Sequence, residues 1–145
     1  MIPTAAFMAA TAMFIATAAA EPAQPGPEPA PDRPAQPKTV AILIFDGVEL
    51  MDFTGPAEVF LLAGEGRAFR VLTVAESTKP VKTMGGITVI PDHSFDTAPR
   101  AAVLVVPGGN LKAVTKRGRD WVVKAGGEAE ITLSVCFGAL LLGEL

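Results

Sequence analysis

Three short segments rich in apolar residues restrict the fold of this chain more than any other feature. They are residues 39–45, Thr-Val-Ala-Ile-Leu-Ile-Phe; residues 101–106, Ala-Ala-Val-Leu-Val-Val; and residues 131–135, Ile-Thr-Leu-Ser-Val. Runs of this length are typical of strands that are buried on both faces. Helical patterns alternate with them, which indicates crossover connections. The sequence therefore predicts a doubly wound α/β domain with a mostly parallel sheet and helices on both of its faces.

The segment after the first strand is predicted to form a helix that Gly64 ends. Asp46 and Glu49 have the spacing of a helix-capping pair. Apolar residues then recur at helical intervals, at Leu50, Phe53, Ala57, Phe60 and Leu61. Pro56 lies inside this helix, and because its ring clashes with the carbonyl four residues earlier, we expect a kink at Asp52.

Four further elements follow from the local patterns. They are a strand at residues 69–75, a short strand or hairpin arm at 86–91, a helix at 111–125 and the start of a helix at 139–142. The strands that end at Phe45, Val106 and Val135 should place their carboxyl ends on one edge of the sheet. Doubly wound folds bind their ligands at this edge.

The region before the predicted domain divides into two parts. Residues 1–20 carry no charged side chain and end in small residues, which predicts a signal peptide and a periplasmic or secreted protein with no membrane segment after cleavage. Residues 21–38 contain seven prolines, which predicts a disordered linker. Residues 39–145 then form the α/β domain.

Composition excludes several classes of function. Half of the residues are apolar, which suffices for one buried core, and the net charge of −3 gives no basic surface for nucleic acid. Cys136 is the single cysteine and His93 the single histidine, so a disulfide within the chain or a cysteine-rich metal site is excluded. No metal or organic cofactor is implied.

Cys136 is the first candidate for chemistry because it lies between a predicted strand and a predicted helix. Ser134-Val-Cys136-Phe-Gly138 has the layout of a nucleophile elbow, a strained turn that holds a reactive side chain above the sheet. The helix dipole at this position favours a thiolate. The alternative is that Cys136 is a small buried apolar side chain, as isolated cysteines often are.

Backbone amides and an acid could complete the site. The amides of Gly108, Gly109 and Phe137 could stabilise a developing oxyanion, although Pro-Gly-Gly is also a common turn. Asp52 comes from the helix after the first strand and could hydrogen-bond the sulfur, with Glu49 and Glu58 as competing acids. His93 lies in a polar connection far along the chain, where an exposed loop histidine without a role is the simpler interpretation.

The motifs around Asp52, Gly109 and Cys136 together resemble the ThiJ/PfpI superfamily, which is related to class I glutamine amidotransferases. They are residues 40–60, which include Asp-Phe-Thr-Gly-Pro; residues 103–109, Val-Leu-Val-Val-Pro-Gly-Gly; and residues 134–142, Ser-Val-Cys-Phe-Gly-Ala-Leu-Leu-Leu. The similarity is strongest to the isonitrile-hydratase-like branch and to the amino-terminal domain of some AraC-type regulators. It implies a flavodoxin-like fold over residues 39–145.

The resemblance also implies roles for single residues. Cys136 would be the elbow nucleophile, Asp52 the acid beside it, and the amides of Gly109 and Phe137 the oxyanion donors. Protease-like members carry histidine directly after the cysteine, where this chain has Phe137, so peptidase activity is not expected. The amidotransferase triad takes its histidine and glutamate from well beyond the cysteine. Because only nine residues follow Cys136 here, amidotransferase activity is not expected either.

Three hypotheses for function remain open at this point. The first is a cysteine-dependent hydratase or lyase that acts on a small electrophilic molecule. The second is a redox-responsive or ligand-binding module without turnover. The third is an inactive remnant, because family domains continue with further strands and helices beyond the elbow. In this chain the strand at Ile131 would then be left as an uncovered sheet edge. A homodimer could complete the sheet.

Overall fold

A computed structural model describes residues 36–145 of the chain. The strands are β1 (Lys38–Leu43), β2 (Phe69–Ala75), β3 (Val81–Lys82), β4 (Thr88–Val89), β5 (His93–Ser94), β6 (Val103–Val106) and β7 (Ile131–Ser134). Five of them form one sheet in the order β5-β2-β1-β6-β7, with every neighbouring pair parallel. Strands β3 and β4 form a separate antiparallel hairpin. The predicted signal peptide and residues 21–35 of the predicted linker lie outside the described residues.

Within residues 36–145, three α-helices connect or follow the strands. They are α1 (Leu50–Gly66), α2 (Lys116–Glu128) and α3 (Gly138–Gly143), and a single 3₁₀ turn (Leu111–Ala113) precedes α2. The crossovers β1-α1-β2 and β6-α2-β7 progress in opposite directions across the sheet, so right-handed connections place α1 and α2 on opposite faces. The predicted doubly wound, mostly parallel α/β fold is confirmed. No helix among residues 36–145 is long and apolar enough to cross a membrane.

The core lies on the two central strands of the sheet. In β1, Val40 and Ile42 are fully buried and Ala41 and Leu43 are at most 2 % exposed, while β6 is buried along its whole length. A central parallel strand covered on both faces has no solvent side, which explains why these segments lack the polar alternation of a surface strand. β1 pairs with β2 over its whole length and with β6 at residues 40–42.

The predicted capping role of Asp46 is wrong. Helix α1 begins at Leu50 with Glu49 at the N-cap, and the cap makes no side-chain hydrogen bond. Asp46 lies too far before the helix start, and its Oδ1 instead accepts a hydrogen bond from the backbone N–H of Lys82, at 2.8 Å. The carboxylate therefore anchors the β3–β4 hairpin to the loop after β1.

The prediction of a kink at Asp52 is also wrong. The non-helical dihedral angles of α1 fall at residues 63–65, where Gly64 has φ 58° and ends the regular helix as predicted. Pro56 lies inside α1 with helical dihedral angles, so the expected clash of its ring with the carbonyl of Asp52 does not break the helix there. Leu61, the last residue of the apolar pattern, is 47 % exposed.

Two assignments after β4 need correction. The helix predicted from Leu111 begins at Lys116, because Thr115 caps it by accepting a hydrogen bond from the backbone N–H of Gly118 at 3.1 Å. His93, predicted in a loop, lies in the short edge strand β5 and is half-buried. Among the described strands, β7 pairs with β6 alone.

We predict that the fold depends strongly on the central strand. Replacing Ile42, which is fully buried, by alanine should lower the free energy of unfolding by about 2–5 kcal/mol, since a cavity is left between two covered faces. The control Val59→Ala removes a side chain that is 68 % exposed on α1 and should change it by less than about 0.5 kcal/mol. Urea unfolding followed by circular dichroism measures both, and equal effects would contradict the assigned core.

Candidate functional site at the carboxyl edge of the sheet

The ends of β1, β6 and β7 meet on one edge of the sheet. These three strands are adjacent and parallel, so the loops that follow them leave from the same side. The loops carry the residues singled out from the sequence: residues 46–49 after β1, 107–110 after β6, and 135–137 after β7. The prediction that these strand ends share an edge is confirmed.

Two of these loops are joined backbone to backbone. Val48 and Gly109 form an isolated antiparallel bridge, in which the N–H of Glu49 donates to the carbonyl of Gly108 at 3.1 Å. The N–H of Asn110 donates to the carbonyl of Gly47 at 2.9 Å. Gly109 has φ 128°, and a Cβ there would collide with the carbonyl oxygen of Gly47. Glycine is therefore required at position 109 because of this close contact with the loop after β1, and a turn alone would not require it.

The loop after β1 was missed as part of the site. Gly47 has φ 81° and lets the chain turn back toward the hairpin, where its N–H donates to the carbonyl of Lys82 at 2.7 Å. The N–H of Met84 likewise donates to the carbonyl of Val48 at 2.9 Å. The Asp46-Gly47 dipeptide, a common turn signal, was the sequence feature that could have revealed this.

Asp52 is held against the loop after β6. It lies in the first turn of α1, is 9 % exposed, and its Oδ2 accepts a hydrogen bond from the backbone N–H of Gly108 at 3.1 Å. The competing acids differ, because Glu49 is the N-cap of the same helix and Glu58 is exposed. Of the three acids, Asp52 is the buried one, and no hydrogen bond joins it to the sulfur of Cys136 within residues 36–145.

Cys136 occupies a strained turn. It has φ 52°, a left-handed conformation that costs a side-chain-bearing residue energy, and it is exposed. The turn is closed by a hydrogen bond from the N–H of Gly138 to the carbonyl of Val135 at 2.9 Å. A Cβ at Gly138 would collide with the carbonyl oxygen of Val106, so α3 can begin this close to β6 only with glycine at its first position. This is the geometry of a nucleophile elbow.

Gly108 is the point where these groups meet. A Cβ added there would lie 2.8 Å from Oδ2 of Asp52, 2.8 Å from the backbone nitrogen of Phe137 and 3.1 Å from Cβ of Cys136. Within the described residues, the N–H groups of Gly109 and Phe137 donate to no protein acceptor. The structure thus brings together Cys136, Asp52 and two available amide donors, all predicted from the sequence.

His93 lies far from this site. His93 lies in β5, and Cys136 follows β7 at the opposite edge of the sheet. Four strand spacings separate them, about 19 Å. In the part of the chain that the structure describes, no three histidine, cysteine or acidic side chains cluster as metal ligands would. A Cys136–His93 pair is therefore not formed.

A partly enclosed cleft lies to one side of the elbow. A cleft of about 370 Å³ opens between the loops after β1 and β2 and the start of α2, and its lining includes Phe45, Glu76, Lys79, Phe95 and Thr115. Neither Cys136 nor Asp52 lines it. Cys136 itself is exposed.

The chain is similar to members of one family. A model of the DJ-1/PfpI family matches residues 38–145. An uncharacterized Streptomyces lividans protein from the cpoL 5′ region is 35 % identical over 117 residues, which are 75 % of this chain and 80 % of that protein. The isonitrile hydratase of Pseudomonas putida is 28 % identical over 107 residues, which are 72 % of this chain and 46 % of the hydratase.

Solved structures show the same fold. A ThiJ/PfpI family protein from Pseudomonas syringae superposes with a TM-score of 0.68 at 30 % identity, over 83 % of this chain and 52 % of that one. A DJ-1 superfamily protein from Agrobacterium tumefaciens superposes with a TM-score of 0.60 at 22 % identity, over 73 % of this chain and 57 % of that one. This chain thus spans about half the length of the hydratase and of the Pseudomonas syringae protein.

We predict that the elbow tolerates no side chain at its helix start. Gly138→Ala should lower the free energy of unfolding by about 1–3 kcal/mol or more, because the new methyl group meets backbone atoms of β6 that cannot move aside. Gly143→Ala is the matched control at the end of the same helix, where a Cβ meets nothing within 4 Å. It should be neutral or stabilising by up to about 1 kcal/mol. Equal losses in urea unfolding would contradict the elbow geometry.

Proposed function

Because this chain belongs to the DJ-1/PfpI family, we propose that Cys136 is the nucleophile of a reaction that adds water to a small electrophilic molecule. An isonitrile is the first candidate substrate, because the chain is similar to an isonitrile hydratase. The observation that carries the proposal is the left-handed conformation of Cys136 at φ 52°, which presents an exposed thiol beside Asp52 and two available amides.

The chemistry can be written with these groups alone. The thiolate of Cys136 attacks the terminal carbon of the isonitrile, a C–S bond forms, and the same carbon takes up a proton, which gives a thioimidate with a C=N bond. Water then adds across this C=N bond, with its oxygen going to the carbon and a proton to the nitrogen. The C–S bond of the adduct breaks, the hydroxyl proton is lost, and an N-substituted formamide is released. The net change is the addition of one water molecule, and the thiolate is regenerated.

Asp52 is positioned to transfer a proton. Its Oδ2 is already engaged by the N–H of Gly108, so the second carboxylate oxygen is the one available to the substrate or to water. Burial at 9 % exposure and the bond to Gly108 fix the carboxyl group in one orientation. A positioned acid or base of this kind contributes about 10²–10⁴-fold to a rate.

The amides of Gly109 and Phe137 serve as donors to charge that develops on the substrate. Preorganised N–H groups stabilise such charge without having to reorient during the reaction. The placement of Phe137 after Cys136, and of His93 across the sheet, gives no support to a peptidase, which would need a histidine beside the thiol.

We predict that turnover depends on Cys136 and Asp52 and is independent of His93. With small alkyl isonitriles, formamide formation followed by NMR should fall to the buffer rate in Cys136→Ala. It should fall by about 10²–10⁴-fold in Asp52→Asn, which can still accept the hydrogen bond from Gly108. His93→Ala is the control and should retain the wild-type rate. Formamide formation above the buffer rate in Cys136→Ala would contradict the proposal.

A second candidate is a redox-responsive module without turnover. The exposure of Cys136 and the distance of His93 favour it, since an oxidant can reach the sulfur and His93 does not adjoin the thiol. A peroxide would transfer one oxygen atom to the thiolate, giving a sulfenate and water or an alcohol, and a second peroxide would give the sulfinate. A mass gain of one or two oxygen atoms at Cys136, with no formamide formed, would favour this function over hydration.

A further inference from the structure

The loop after β1 lies between two other backbone segments and is hydrogen-bonded to both of them. On one side, the N–H of Gly47 donates to the carbonyl of Lys82 at 2.7 Å. The N–H of Met84 donates to the carbonyl of Val48 on the same side, at 2.9 Å. On the other side, the carbonyl of Gly47 accepts a hydrogen bond from the N–H of Asn110 at 2.9 Å. Gly47 thus connects the β3–β4 hairpin to the loop after β6.

Asp46 completes this connection on the side of the hairpin. Its Oδ1 accepts a hydrogen bond from the backbone N–H of Lys82 at 2.8 Å. Because the carbonyl of Lys82 is bound by Gly47, the peptide groups on both sides of Lys82 are held by two consecutive residues of the loop. The loop passes β3 without forming a regular strand, so the carboxylate supplies the acceptor that a neighbouring strand would otherwise provide.

The contact between this loop and the loop after β6 leaves little freedom. A Cβ at Gly47 would lie 2.8 Å from Cβ of Asn110, and a Cβ at Gly109 would lie 2.8 Å from the backbone nitrogen of Glu49. The N–H of Glu49 also donates to the carbonyl of Gly108 at 3.1 Å. Because closely packed backbones transmit strain, a shift of the loop after β1 moves the loop after β6 with it.

We propose that Asp46 is a positioning residue for the amide of Gly109, an inference that rests on the proposed function of this amide as a donor to the substrate. Asp46 fixes Gly47 against the hairpin, and Gly47 in turn fixes the loop after β6. The carboxylate of Asp46 is bound on the hairpin side of its loop, whereas Cys136 packs against Gly108 on the other side. Asp46 therefore acts through the backbone and not on the substrate.

A small displacement of the Gly109 amide is sufficient to affect the rate. A preorganised donor does not have to reorient during the reaction, and the loss of one such donor costs about 10²–10³-fold in kcat. A misplacement of about 1 Å costs up to about 10²-fold. Because the donor acts on charge that develops in the transition state, the loss falls on kcat and leaves KM almost unchanged.

Steady-state hydration of a small alkyl isonitrile by the full-length chain tests this role. Asp46→Ala should lower kcat by about ten- to a hundredfold, with KM changed by less than about twofold. Asp46→Asn keeps an oxygen that can accept the N–H of Lys82 and loses only the charge, so its kcat should stay within about threefold of wild type. A wild-type kcat in Asp46→Ala, or an equal loss in Asp46→Asn, would overturn the proposal.

Asp92→Ala is the matched control, because Asp92 also binds a backbone N–H but lies just before β5 at the opposite edge of the sheet. Its Oδ2 accepts hydrogen bonds from the N–H of Thr73 at 2.8 Å and from the hydroxyl of Thr73 at 2.7 Å. Its removal should lower the free energy of unfolding at least as much as Asp46→Ala does, and kcat should stay within about twofold of wild type. An equal fall in kcat would mean that lost stability, and not positioning, explains Asp46→Ala.

Hydrogen exchange of single amides, followed by NMR, tests the connection without turnover. In Asp46→Ala the N–H of Asn110, which is bound to Gly47, should exchange at least about tenfold faster than in wild type, with less than about a twofold change in Asp92→Ala. A wild-type protein that hydrates no isonitrile but shows this exchange would contradict the proposed function and support the positioning of the loop by Asp46. Unchanged exchange at Asn110 would contradict the positioning itself.

Discussion

The close approach of backbone to backbone at the carboxyl edge of the sheet is the constraint on which the candidate site depends. Gly109 contacts the loop after β1 with no room for a Cβ, and Gly138 does the same with the end of β6. Each contact brings together elements that are far apart in sequence. Through these contacts the ends of β1, β6 and β7 are coupled. A substitution in any of the three loops would therefore change the geometry at Cys136.

Asp52 has a structural role as well as a proposed chemical one. Its carboxylate binds the N–H of Gly108, the residue against which Cys136 and Phe137 also pack. The same side chain therefore positions the loop that carries one amide donor and presents its second oxygen to the reaction. This dual use explains why a buried acid lies in the first turn of α1, where the helix dipole also favours a negative charge.

The sheet and the elbow could be predicted from the sequence because their signals are local. A run such as residues 40–43 has no solvent side, and Cys136 stands between a strand and a helix whichever way the rest of the chain folds. The details that failed depend on partners distant in sequence. Asp46 accepts a hydrogen bond from Lys82 and does not cap a helix, and His93 joins the edge of the sheet only because β2 is there to pair with it.

The most direct test of the account is the rate at which iodoacetamide alkylates Cys136 in the native protein and in the same protein unfolded in urea. Each rate is to be divided by that of glutathione in the same buffer, which removes the effect of urea on the reagent. The elbow geometry predicts that the native thiol reacts at least as fast as the unfolded one, because the turn exposes the sulfur. A native rate about tenfold slower or more would mean that Cys136 is buried, and the site would lose its nucleophile.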